Sequence, residues 1–207
     1  ARIPFRLAVM MDSVMVIKDN GINRRSGMQR SSDMDEVCYP FIHDTGPLCD
    51  FEVVTDELCG NIGAAISLSP PDCPDIRADL EHLQPLAFHL NGSLRGRLAI
   101  AEADLDWAKE RLSHYRSEAS GSAAGFVLPR GAMPVPFLNL SRSGTKKAIR
   151  QMVHIEESGI AVPDVLPRLC NILCNLFFAM ILVINRRRGE TEVAFVSKSY
   201  GPRTCSD

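Results

Sequence analysis

The feature that most constrains this chain is a long apolar stretch near its C-terminal end. Ile172–Ile184 is apolar throughout except at Asn175. A helix greasy on every side has no flank to offer to water, so it has to be surrounded. The stretch falls short of the roughly 20 residues needed to cross a bilayer, which predicts a helix inside a bundle and not a membrane span. That helix is expected over about Pro163–Asn185. Arg186, Arg187 and Arg188 follow it and suit the negative end of a helix dipole, and Gly189 then closes it.

Four further segments repeat their apolar residues at helical spacing. From Phe51, FEVVTDELCGNIGAAISLS puts Val54, Leu58, Ile62, Ala65 and Ile66 on one side. A second helix is expected at about Ile76–Leu90, with Leu80, Leu83, Leu86, Ala87 and Leu90 inward and a kink at Pro85. A third runs over about Ala99–Ser117, with Ile100, Leu105, Trp107, Ala108 and Leu112 as core candidates, and a fourth over about Phe137–Glu157. SPPDCPD, NGSLRG, SEASGSAAG and SGIAVP separate them, with Gly159 as a C-cap. The expected fold is all-α: a five-helix antiparallel bundle over 51–195, after an irregular N-terminal arm (1–50) and before a short C-terminal tail (196–207).

Of the 207 residues, 45% are hydrophobic and 23% charged, which excludes a disordered chain. A net charge of −2 excludes a binder of nucleic acid by bulk charge and leaves only local patches. Two such patches exist, Arg24, Arg25 and Arg30 near the start and Arg186, Arg187 and Arg188 near the end. Each is either solvated charge or a contact for RNA or protein. The seven cysteines are odd in number and form no CxxC pair, so a reducing compartment is expected and a zinc site is not. His43, His82, His89, His114 and His154 show no ligand spacing, and no metal is expected. ARIPFRLAVM has two arginines and no acid, like the remains of a mitochondrial presequence.

Chemistry is concentrated on three helices. Arg142, Lys146 and Arg150 stand at i, i+4 and i+8 on the fourth, with Lys147 beside them. This is either a solvated face or an anion site. Arg168, Asn171 and Asn175 draw a polar stripe down the apolar fifth helix, as a contact with another helix or subunit would require. Asp56 and Glu57 on the first helix are either partners for Arg142 or exposed acids.

In this order the motifs resemble the ATP:cob(I)alamin adenosyltransferases of the PduO type. VVTDELCGNIG at 53–63 resembles that family's GTVDELNSxIG, and LEHLQPLAFHL at 80–90 its LxxIQxxLFxL helix. FVLPRG at 126–131 resembles FxLPGG, RSGTKKAIR at 142–150 resembles RTVCRRAER, and NILCNLFF at 171–178 resembles NRLSDxLFxL. The resemblance implies a trimer with sites between subunits, where cob(I)alamin attacks the ribose 5′ carbon of ATP and triphosphate leaves. It implies that Phe126 faces the corrin and that Asp56 and Arg142 pair across the interface. Lys146, Lys147, Arg150 and Asn171 then lie on the ATP side.

The departures from the family pattern cluster at the nucleotide. IKDNGINRRSG stands where the family's TGDxGxT loop would offer N–H groups and hydroxyls to phosphate. Ile149 replaces the Glu of RRAER, Ile172 the Arg of NRLSD, Cys174 its Ser, Asn175 its Asp, Leu182 a later Arg, and Arg130 a Gly of LPGG. Lys146 and Lys147 forfeit the bidentate grip of arginine. The expected function is therefore a catalytically degraded member serving as a structural or assembly component of a large mitochondrial complex, the mitochondrial ribosome foremost, with no cofactor. The alternative is an active enzyme using ATP and cobalamin, and a third reading is a corrinoid carrier that binds no ATP.

Overall fold

The computed structural model describes residues 27–29, 31–122 and 125–199. The chain divides at Gly46 into two compact units. In the first, Asp33 caps a short 3-10 turn at Met34–Glu36 by accepting from the Asp35 amide at 3.0 Å. Tyr39 and Phe41 meet edge to face there, with centroids 5.6 Å apart. Arg24 and Arg25 lie outside the described residues, as does Arg30.

The second unit is the expected five-helix bundle: α1 (Pro47–Ser67), α2 (Pro74–Gly92), α3 (Glu102–Glu118), α4 (Val135–Glu157) and α5 (Val165–Arg187). The described residues hold no strand; an isolated antiparallel bridge joins Val127 and Ala194. α1 starts before Phe51, inside the stretch expected to be an arm. Pro47 explains this, because a proline at the first helical position lacks only an N–H that the helix does not use. α3 starts later than expected, at the turn where the Asp104 carboxylate accepts from the Ala101 amide at 2.8 Å. Gly159 and Gly189 follow α4 and α5 with φ of 90° and 68°, the left-handed conformation that a helix stop requires.

α5 packs between α3 and α4, while α1 packs on α2 and α4. Leu166, Leu169, Leu173, Leu176, Phe177 and Met180 are fully buried, and they meet Phe51, Leu58, Leu83, Leu105 and Leu138 from the other helices. At 23 residues with a mean hydropathy of 1.9 in its most apolar window, α5 is long and apolar enough to cross a membrane. Burial of 56% of that window inside the bundle supports its reading as a core helix. Trp107 packs half-buried at the edge of the core, and His82 stacks on it at 4.1 Å from the surface of α2.

Two ion-pair networks fasten the connections. Glu52 on α1 is 5% exposed and takes Arg95 in a fork, Nε to Oε1 at 2.7 Å and Nη2 to Oε2 at 2.9 Å. Asn91 closes the same corner by donating to the Glu52 carbonyl and the Thr55 hydroxyl. On the other network Arg187 holds Asp75 of α2 (2.6 and 2.8 Å) and Glu118 of α3 (2.7 and 2.8 Å). Beside it the buried Tyr115 hydroxyl donates to Asp79 at 2.5 Å, and Arg111 reaches the same oxygen at 3.0 Å.

Candidate functional site

The segment between α3 and α4 carries Phe126, and what holds it determines the site. α5 ends at Arg187, so the tail returns beside this segment. The Leu128 amide donates to the Val193 carbonyl and the Phe195 amide to the Phe126 carbonyl, both at 2.8 Å. Gly131 sits where a Cβ would come within 2.9 Å of Val135 and 3.2 Å of the Asn185 side chain, so glycine is needed for this close approach. The resemblance to LPGG therefore survives at its second glycine, while Arg130 in place of the first is exposed.

Gly125, Phe126 and Val127 face Arg142 of α4 and Phe178 of α5 across a cavity of about 340 Å³. Phe126 is 79% exposed at its edge. The Arg142 guanidinium lies 4.4 Å from the centroid of the Phe178 ring, a cation–π stack. Its Nη1 donates to Asn139 at 3.1 Å, while its Nε is buried without a partner. A buried N–H left unpaired is costly, so this arginine is only half satisfied by its own chain. A second hollow of about 250 Å³ lies on the other side of Phe178, walled by Arg116, Ala119, Asn175, Ala179 and Leu182.

Of the residues singled out by sequence, the structure brings Phe126 and Arg142 to one cavity. Asp56 is exposed on α1, and within the chain neither it nor Glu57 meets Arg142; Glu57 instead takes Lys147 at 3.2 Å. Arg142 is turned away from them by Asn139 and Phe178. Lys146 and Arg150 are exposed, as is Asn171, whose amide donates to the Pro167 carbonyl at 2.9 Å. Arg168 leaves the expected polar stripe to pair with Glu102 and Asp164. Phe178 was missed because it lies within an apolar run that reads as core. Its neighbour Phe177 is fully buried, and adjacent residues on a helix point 100° apart, which was the available signal.

Within the expected basic patch at the end of α5, Arg187 is neutralised inside the fold while Arg186 and Arg188 stay exposed. Arg187 is spent on Asp75 and Glu118, Arg186 donates to the carbonyls of Glu118 and Ser120, and Arg188 donates to the Met133 carbonyl. The helix end lies against acids and carbonyls that the linear sequence does not place nearby. Hydrogen bonds from Arg187 hold the carboxyls of Asp75 and Glu118 below their ordinary values and raise the guanidinium in turn. His114 shares this corner, where ligand-type atoms of Asp75, His114 and Glu118 lie within 4.8 Å of one another. Both carboxylates already face a fixed cation, which opposes a metal there. Burial pushes the Cys170 thiol up to about 12, so it is packing and not a nucleophile.

The fold and site together define an all-α bundle with an aromatic and arginine-lined cavity beside a glycine-tightened loop. Comparison with known proteins makes this specific: the profile for cobalamin adenosyltransferase matches residues 47–184. The chain belongs to the cobalamin adenosyltransferase family. It is 29% identical over 147 residues to the corrinoid adenosyltransferase of Bacillus subtilis (strain 168), covering 68% of this chain and 75% of that protein. Its fold matches that of an Arg-to-Lys variant of a PduO-type ATP:corrinoid adenosyltransferase from Lactobacillus reuteri complexed with ATP. The TM-score is 0.68 at 20% identity, over 88% of this chain and all of the other. A Phe-to-Ala variant of the Lactobacillus reuteri enzyme, complexed with cobalamin and ATP, matches with a TM-score of 0.66 at 18% identity, over 89% of this chain and 99% of the other.

Proposed function

We propose that this chain is a non-catalytic member of its family that has kept the corrin-facing corner and lost the grip on triphosphate. Its role is structural, as a trimer-forming component of a large mitochondrial assembly, with the mitochondrial ribosome the first host to test. The observation that carries this reading is the state of the nucleotide-side positions. Ile149, Ile172 and Leu182 are half-buried apolar groups packed against the core, and of the exposed cations on α4 Lys147 is paired with Glu57 while Lys146 and Arg150 stand beside it. Each charge-assisted hydrogen bond to a phosphate is worth about 1.5–3 kcal/mol, so three lost contacts remove several orders of magnitude of affinity even if they add only in part. The residues on this side do not fit ATP. Those on the corrin side fit a broad apolar ligand, since Phe126 projects free beside the cavity. RNA contacts in such an assembly fall to Arg24, Arg25 and Arg30 and to the exposed Arg186 and Arg188, since Arg187 is engaged by Asp75 and Glu118.

One observation favours the second reading, an active ATP:cob(I)alamin adenosyltransferase. The substituted Phe and Arg of the Lactobacillus reuteri variants are 20 residues apart, and so are Phe126 and Lys146 here. Lys146 then occupies the position of an arginine whose replacement by lysine is compatible with an ATP complex. The test is to incubate purified chain with ATP and chemically reduced cobalamin and to follow adenosylcobalamin by its absorption spectrum. No turnover is expected, against clear turnover by the Bacillus subtilis relative; a comparable rate establishes the second reading instead. Cross-linking in mitochondrial extract is expected to join the chain to components of a large assembly, and recovery of free trimers alone contradicts the structural role.

A further inference from the structure

We infer that the tail at residues 188–196 is a latch that sets where Phe126 stands, with Arg188 and Glu190 as its fasteners. This rests on reading Phe126 as the residue that faces a corrin, and it adds to that reading the parts that position the ring.

A ring that is 79% exposed has little packing to fix it, so its place is decided by the backbone that carries it. That backbone is held from the tail at successive points. Arg188 donates from Nη1 to the Met133 carbonyl at 3.0 Å, and the Ala132 amide donates to Glu190 Oε2 at 3.3 Å. The Leu128 amide bonds to Val193 and the Phe195 amide to Phe126, flanking the Val127–Ala194 bridge. The tail is itself tied to α5, since the Glu190 amide donates to the Asn185 carbonyl at 2.8 Å and the Asn185 side chain to Glu192 at 3.4 Å.

Asn185 is 3% exposed at the last turn of α5, so the latch is anchored on a buried side chain of the bundle. The run of contacts is Asn185 to the tail, the tail to residues 126–133, and those residues to the cavity that Arg142 and Phe178 complete. Arg188 and Glu190 do not line the cavity. They are positioning residues.

The test uses the full chain with Glu190→Ala and, separately, Arg188→Ala. Amide hydrogen exchange over residues 126–132 is expected to rise roughly tenfold in each variant, with the buried amides of α1 and α5 unchanged. Unchanged exchange over 126–132 overturns the latch. Reduced cob(II)alamin then probes what the latch does. Glu190→Ala is expected to weaken its binding roughly tenfold in the native background and to add nothing in a Phe126→Ala background, the signature of two residues acting as one unit. Equal losses in both backgrounds, or none, overturn the positioning role. If the native chain takes up no cob(II)alamin, the corrin reading of Phe126 falls while the exchange experiment still decides the latch.

Discussion

Arg95→Ala will destabilise the bundle by about 3–5 kcal/mol, the cost of stranding a buried carboxylate. Glu52 is 5% exposed and Arg95 13% exposed, and their two-pronged contact is shielded from water. Removing the guanidinium leaves Glu52 charged inside the protein or forces it to take up a proton. Urea denaturation at neutral pH measures the loss. The double replacement Glu52→Leu with Arg95→Met removes both charges and costs less than Arg95→Ala alone. Equal losses in the two variants would mean that Arg95 acts through the packing of its alkyl stem and not through the ion pair.

The second large effect belongs to Arg187 and depends on pH. Asp75 and Glu118 have carboxyls held below their ordinary values, chiefly by hydrogen bonds from Arg187. A group depressed in the folded state stabilises fully above its unfolded value, and that stability disappears as pH falls through the folded value. Unfolded carboxyls of this kind titrate near pH 4. Arg187→Gln will therefore cost about 2 kcal/mol at pH 7, since the three side chains are 24–34% exposed and partly screened by water. The gap between native and variant chains will narrow steadily below about pH 4. Thermal unfolding across pH 2–8 records this, and a gap independent of pH contradicts the assignment.

The parts of the fold that were legible are those fixed by local chemistry. The apolar sides of Leu80, Leu83 and Leu90, and of Leu58 and Ile62, repeat at helical spacing, and the structure buries them all. Gly159 and Gly189 stop helices where a left-handed residue is needed. The start of α1 was misplaced because Pro47 reads as a breaker, although the first turn tolerates it. The site was harder to read because its members come from distant positions. Phe126 and Arg142 were visible through motif order, whereas Phe178 differs from its buried neighbour Phe177 only by rotation on the helix. The fate of Arg187 depended on Asp75 and Glu118, 112 and 69 residues away, and charge patterning along the chain cannot bring those together. For the same reason three consecutive arginines read alike, although only Arg187 is ion-paired and Arg186 and Arg188 stay exposed.

The proposed loss of the nucleotide grip within a preserved architecture is tested most directly by titrating ATP into the purified chain in a calorimeter, with the Bacillus subtilis relative as a positive control. Heat of binding is expected for the relative and none for this chain at ATP concentrations up to ~1 mM. Saturable micromolar binding by this chain would contradict it.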